Sequence, residues 1–110
     1  MISINSLAQY IGVDYYEDDP VVTANLQRAI DSATYRLYGS VGRDVETYLP
    51  GDARIEELLL MYGEESYDDH TGSAKQASSQ RHLRDLYESQ LRLELRRAKE
   101  EGAPEESEES

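Results

Sequence analysis

The chain has 110 residues, no Cys, Phe or Trp, and a net charge of −12 at pH 7. That length supports one domain with a modest core, and the absence of thiols excludes disulfides and thiolate metal sites and is compatible with a reducing cytosol. The charge opposes binding to nucleic acid, whose affinity comes largely from neutralising phosphates.

Ser3 to Ile11 reads as a short first helix. Asn5 or Ser6 can cap it, Leu7, Ala8 and Ile11 lie on one side, and Gly12 stops it. Asp14 to Asp19 is an acidic connector. The second helix opens on Asp18 or Asp19 as cap, with Pro20 at the first helical position, where its missing N–H costs nothing. Val22, Leu26, Ala29, Ile30, Ala33 and Leu37 then recur at spacings of three and four, which predicts an amphipathic helix ending near Gly39. Gly39 to Gly51 holds three Gly and one Pro and reads as a loop, or as a short extended excursion around Val45 to Leu49.

Asp52 can cap a third helix that carries Leu58-Leu59-Leu60-Met61-Tyr62. At roughly 100° per residue, Ile55, Leu58, Leu59 and Tyr62 share one face while Leu60 and Met61 point to the other side. A helix apolar most of the way round is buried, either at the centre of one small bundle or partly by neighbouring copies. Ile55, Leu58, Leu59, Leu60, Met61 and Tyr62 are therefore candidates for subunit contacts. Glu64, Glu65, Asp68 and Asp69 then gather where the helix dipole disfavours negative charge. This favours a stop near Gly63 over a longer helix whose acidic end is compensated by a basic partner.

Asp68 to Ser79 is polar and reads as a loop. A fourth helix starts near Ser78 or Ser79 and runs to about Glu101, with Leu83, Leu86, Tyr87, Leu91 and Leu95 as its apolar stripe. Gly102 and Pro104 end it. The expected organisation is an all-α small bundle of about four helices with a long C-terminal helix over residues 1–101, followed by an acidic low-complexity tail over 102–110 that is expected to be disordered when free. No stretch approaches the ~18 apolar residues of a membrane span, and residues 1–30 lack the basic start and apolar core of a signal peptide. Nine Tyr supply all the aromatic content, and these amphipathic rings suit half-wet contact surfaces as well as cores.

Charge is unevenly placed: −10 over residues 1–74, +4 over 75–99 and −6 over 100–110. Arg81, Arg84, Arg92, Arg96, Arg97 and Lys99 form the basic block. They read either as a solvated face that keeps a long helix soluble or as a docking surface for an acidic protein, with direct DNA binding a poorer fit. Arg92, Arg96, Arg97 and Lys99 are the docking candidates, since the guanidinium fork bonds a carboxylate in two places. Candidate chemistry is thin. Asp68-Asp69-His70 has metal-ligand residue types, but adjacent residues seldom converge on one ion and the Gly-spaced calcium-loop pattern is absent. His82 reads as a packing or surface residue. No Ser/His/Asp arrangement is defensible. Gly39-Ser40-Val41-Gly42-Arg43 lacks the strand–loop–helix setting and the Lys of a phosphate-binding loop. The expectation is a protein that is not an enzyme and holds no cofactor or metal.

Taken in order, these features resemble a family. A short first helix is followed by Asp18-Asp19-Pro20 and a helix with the inner face Ala29-Ile30-Asp31-Ser32-Ala33. A loop with Gly42-Arg43, the Leu58-to-Tyr62 helix and a closing Leu83, Leu86, Gln90-Leu91-Arg92 complete the series. The order resembles that of the head–tail connector (adaptor) proteins of tailed bacteriophages, a family often labelled "DNA packaging", over residues 2 to 95. No single motif is specific; the order and spacing carry the likeness. The chain departs from the family where Asp68-Asp69-His70 follow Tyr67 in place of an Arg, and where it continues past Arg92.

The resemblance implies a structural virion protein, made in the host bacterial cytoplasm. About a dozen copies would form a ring beneath the portal protein and offer their far side to the next connector or a tail-completion protein. DNA would pass through the channel without specific binding and no membrane would be involved. A second expectation, from the charge alone, is a small acidic regulatory or DNA-mimic protein that binds a basic partner.

Overall fold

The computed structural model describes residues 2–13, 19–71 and 78–102, with side chains described over 2–13, 19–67 and 81–101. Among these the chain is all-α: α1 (Ile4–Ile11), α2 (Pro20–Ser40), α3 (Val45–Tyr48), α4 (Ala53–Thr71) and α5 (Ser78–Gly102). No helix among them is long and apolar enough to cross a membrane. The connector over 14–18 and the tail over 103–110 lie outside the described residues.

Local chemistry sets most of the helix ends. Ser3, rather than Asn5 or Ser6, caps α1. Its Oγ accepts from the Ser6 backbone N–H at 3.1 Å, while Ser6 Oγ accepts from the Ser3 N–H at 2.9 Å, so two end donors are satisfied reciprocally. Gly12 closes the helix at φ 89°, its N–H bonded to Ala8 O at 2.9 Å, a backbone state that a Cβ disfavours. Asp19 Oδ1 accepts from Val21 N and Val22 N at 3.1 and 3.2 Å, and Pro20 follows it as the first helical residue.

The segment expected as a loop or extended excursion is a single helical turn, α3, closed by the Leu49 N–H on Val45 O at 2.8 Å. Val45 is fully buried and pins the turn to the core. Gly42 precedes it at φ 152°, and a Cβ there would stand 2.6 Å from Leu95 Cδ2. The glycine therefore lets α5 lie against this corner.

The third helix of the sequence reading is α4, and it does not stop near Gly63 but continues to Thr71. Two observations explain this correction. Gly63 lies in the middle of a helix crossing, where a Cβ would be 2.9 Å from Leu7 Cδ1, so its smallness admits α1. Among the acidic residues beyond it, Glu65 is met by two cations: Arg36 of α2 bonds it, and Arg84 of α5 reaches the same carboxylate at 2.9 Å. The expected loop over Asp68 to Ser79 is thus helical at both ends, with 72–77 outside the described residues.

α4 is the central element, packed by α1, α2 and α5. Ile55, Leu58, Leu59, Leu60, Met61 and Tyr62 are only 0–9% exposed, enclosed by the chain's own helices. This is the first of the two readings the run allows, a helix at the centre of one small bundle. Leu26, Ala29, Ile30, Ala33 and Leu37 of α2 and Leu7 and Ala8 of α1 cover one side, and Leu91 and Leu95 of α5 another. Small residues at Ala29 and Ala33 let α2 and α4 approach closely.

Candidate interaction surfaces

α5 is tied to the body by polar groups as well as by the apolar Leu91 and Leu95. Arg54, at the start of α4, reaches across with both guanidinium edges. Nη2 bonds Glu94 Oε1 at 2.6 Å and Asp52 Oδ2 at 2.7 Å, while Nη1 bonds Glu94 Oε2 at 2.9 Å and Gln90 Oε1 at 3.2 Å. The Arg54 hydrogen bonds hold the Asp52 and Glu94 carboxyls below the usual carboxylate range, and the same two carboxylates raise Arg54 itself.

One helical layer away, Tyr62 donates its hydroxyl to Glu88 while Arg36 stacks 4.6 Å from its ring centroid. Burial, then the Glu88 carboxylate, pushes the Tyr62 phenol upward, so it remains a donor at any ordinary pH. Burial also pushes Glu65 up, but hydrogen bonds and charge from Arg36 and Arg84 together outweigh it and leave the carboxyl below its usual range. Arg92 Nη1 donates to Ser40 O at 2.7 Å, satisfying a carbonyl in the last turn of α2 with a cation where the helix dipole favours one. Lys99 pairs with Asp44 at 3.0 Å and lies over the Tyr48 ring.

Two of the four docking candidates, Arg92 and Lys99, therefore have partners inside the chain. Arg96 and Arg97 are exposed. Between the anchors, the apolar stripe expected on α5 divides. Leu91 and Leu95 are buried and Tyr87 half-buried, whereas Leu83 and Leu86 are 37% and 45% exposed. Leu93, absent from the expected stripe, is 50% exposed. Leu83, Leu86, Gln90, Leu93 and Arg97 recur at three and four, a second seam beside the buried one. That alternation was the signal in the sequence that would have separated the two.

A second surface lies along α1 and α2. Ile2 and Ile4 ahead of and within α1, together with Ile30, Asp31, Thr34, Tyr35 and Tyr38 of α2, line an open groove of about 540 Å³. Tyr35 is 79% exposed, and Arg43 closes one end with its guanidinium 5.3 Å from the Tyr38 ring. Asp31 accepts from Gln27 Nε2 at 3.0 Å on the groove wall.

The remaining candidate residues do not converge. His82 is exposed, and Asp68-Asp69-His70 lie on α4 with their side chains outside the described residues. Among the described residues, no group of three His, Asp or Glu side chains stands together as a metal cluster. Gly39 and Ser40 belong to the last turn of α2, followed by a corner that serves α5 packing. No family model matches the chain, and neither a curated protein nor a solved structure matches it.

Proposed function

We propose that this protein is a structural assembly subunit, the head–tail connector of a tailed bacteriophage. In this role a ring of about a dozen copies sits beneath the portal, extends the DNA channel and joins capsid to tail. The observation that carries the assembly role is α5, which shows Leu83, Leu86 and Leu93 to solvent although polar anchors hold it to α4 and α2. A chain of this size that fully buries its most apolar helix yet leaves Leu83, Leu86 and Leu93 in water presents a contact surface rather than an unfinished core.

The connector identity rests on the resemblance in helix order. The observed order of α1, a Pro-initiated α2, a Gly42-Arg43 corner, the apolar α4 and a long α5 supports it. Charge supports the channel role: a wall bearing an excess of carboxylates offers DNA no binding minimum, so the duplex slides. Arg96 and Arg97 are the cations best placed to meet an acidic portal surface.

The test is to mix the purified protein with portal rings and measure co-sedimentation, with negative-stain images of the protein alone and of the mixture. Rings, alone or on the portal, are the expected result. A protein that forms neither, and instead captures a basic DNA-binding protein in competition with DNA, would replace this reading with the acidic regulatory one.

A further inference from the structure

The exposed α5 ridge of Leu83, Leu86 and Leu93 ends on two cations, Arg96 and Arg97, which are exposed themselves. The cations around them are engaged: Arg92 donates to Ser40 O, Lys99 pairs with Asp44, and Arg54 holds Asp52 and Glu94. Among the described residues, Arg96 and Arg97 close no hydrogen bond or salt bridge, and Arg97 acts only through its field on Glu94. Glu100 and Glu101 follow them by four residues, which is the weaker order for a helical pair. Six carboxylates come after Lys99 in the sequence: these two, then Glu105, Glu106, Glu108 and Glu109. They follow on the C-terminal end of a helix, where the dipole disfavours negative charge unless a cation offsets it. The nearest cations without a partner are Arg96 and Arg97.

We infer that residues 103–110 double back over the end of α5 and set their glutamates against Arg96 and Arg97. The reach suffices. Arg97 and Arg96 lie about 8 and 9 Å of helix before Gly102, whereas eight residues span up to about 26 Å. Gly102 admits a reversal, and Pro104 keeps the helix from running on. A short tether also gives the glutamates an effective concentration near millimolar, so ion pairs too weak to join two molecules form within one. The segment then occupies the two cations that the connector reading offers to an acidic portal surface, and acts as a built-in competitor for them. A partner must present its carboxylates densely enough to displace it. That regulatory role rests on the connector reading, but the contact within the chain does not.

The chain has no Cys, so Ser110→Cys gives a single site for a nitroxide label in the whole protein. The readout is the paramagnetic broadening of the Arg96 and Arg97 side-chain N–H signals in NMR at low ionic strength. The reference is the same labelled protein with Glu105→Gln, Glu106→Gln, Glu108→Gln and Glu109→Gln, which leaves every helix untouched. The glutamate segment should broaden the two arginines about fivefold more than the glutamine one, the factor that two exposed ion pairs supply together. The excess should vanish in about 1 M salt, where charges are screened beyond a few ångströms. An oligo-glutamate peptide should relieve it, and should bind the glutamine variant about fivefold more tightly than the parent. Equal broadening by the two segments, an excess that survives salt, or an excess on other arginines would each overturn the contact. A peptide that binds both proteins alike, or neither, would overturn the competition. Portal co-sedimentation judges the connector reading separately. Portal binding without the contact keeps that reading and discards this inference, and the contact in a protein that ignores portal does the reverse.

Discussion

α4 and α5 are the two longest helices after α2 is set aside, and they satisfy their apolar residues in opposite ways. α4 carries a continuous run from Leu58 to Tyr62 that points in every direction, and α1, α2 and α5 surround it until 9% or less of each side chain remains exposed. α5 is longer, at 25 residues, yet among its described side chains buries only Leu91 and Leu95 outright and is fastened by Arg54, Glu88 and Arg92. The difference shows that an apolar run does not mark an interface by its density. α4 is saturated because it is central. α5 has leucines to spare because it lies at the edge, where polar anchors fix it without covering both of its seams.

Substitution by alanine breaks the comparison most directly. Leu58→Ala in α4 removes a side chain with no exposure, and the cavity left behind should cost about 2–5 kcal/mol. Leu86→Ala in α5 should change the stability of the monomer by no more than about 0.5 kcal/mol, because water already reaches that side chain. Urea unfolding at a concentration where the protein is monomeric measures both. Equal losses at the two sites would mean that the α5 ridge is part of the core after all.

Much of this architecture could be read from the residues. The α2 face from Leu26 to Leu37, the Asp19–Pro20 start and the length of α5 follow from periodicity and capping, which are local. What could not be read depends on contacts between distant segments. Gly63 looked like a terminator because glycine is a poor helix former, whereas here it is a gap through which α1 reaches α4. The single turn of α3 is fixed by burial of Val45 and by the approach of Leu95 to Gly42, neither of which has a local signal. The apolar run of α4 leaves open in sequence whether one bundle or neighbouring copies bury it, and the α5 stripe does not say which of its leucines face inward. Whether a leucine is inside or outside was decided by which helix took the centre, and one chain's periodicity does not state that.

Gly63 sharpens the comparison from the α4 side, and the sign of the effect is the informative part. In an ordinary helix interior, Gly→Ala stabilises by about 1 kcal/mol. Here the added methyl would meet Leu7, itself fully buried and packed on all sides, and overpacking of such a site costs roughly 1–3 kcal/mol. Gly63→Ala should therefore lower the urea midpoint, a net loss of about 1 kcal/mol. A raised midpoint would show that α1 can move aside, and the saturation ascribed to α4 would be weaker than described.

The smallest expected effect concerns the polar side of the α4–α5 contact. Glu65 has its carboxyl held below its ordinary 4.5 in the folded protein because Arg36 and Arg84 outweigh its burial. A group with a depressed folded pKa adds stability that is fully present above its unfolded value and is lost as pH falls through the folded one. Glu65→Gln keeps an acceptor for both arginines and removes only the charge, so it should lower Tm by roughly 2–4 °C at pH 7, in keeping with a partly exposed pair. The gap between the two proteins should narrow as pH falls below 4.5 and vanish once Glu65 is protonated in the folded parent. Comparing the pair at each pH cancels the relief of charge repulsion that acid brings to a chain of net charge −12. A gap that stays constant with pH would mean that the glutamate acts by shape rather than charge, and that α5 is held at this point by packing, as α4 is.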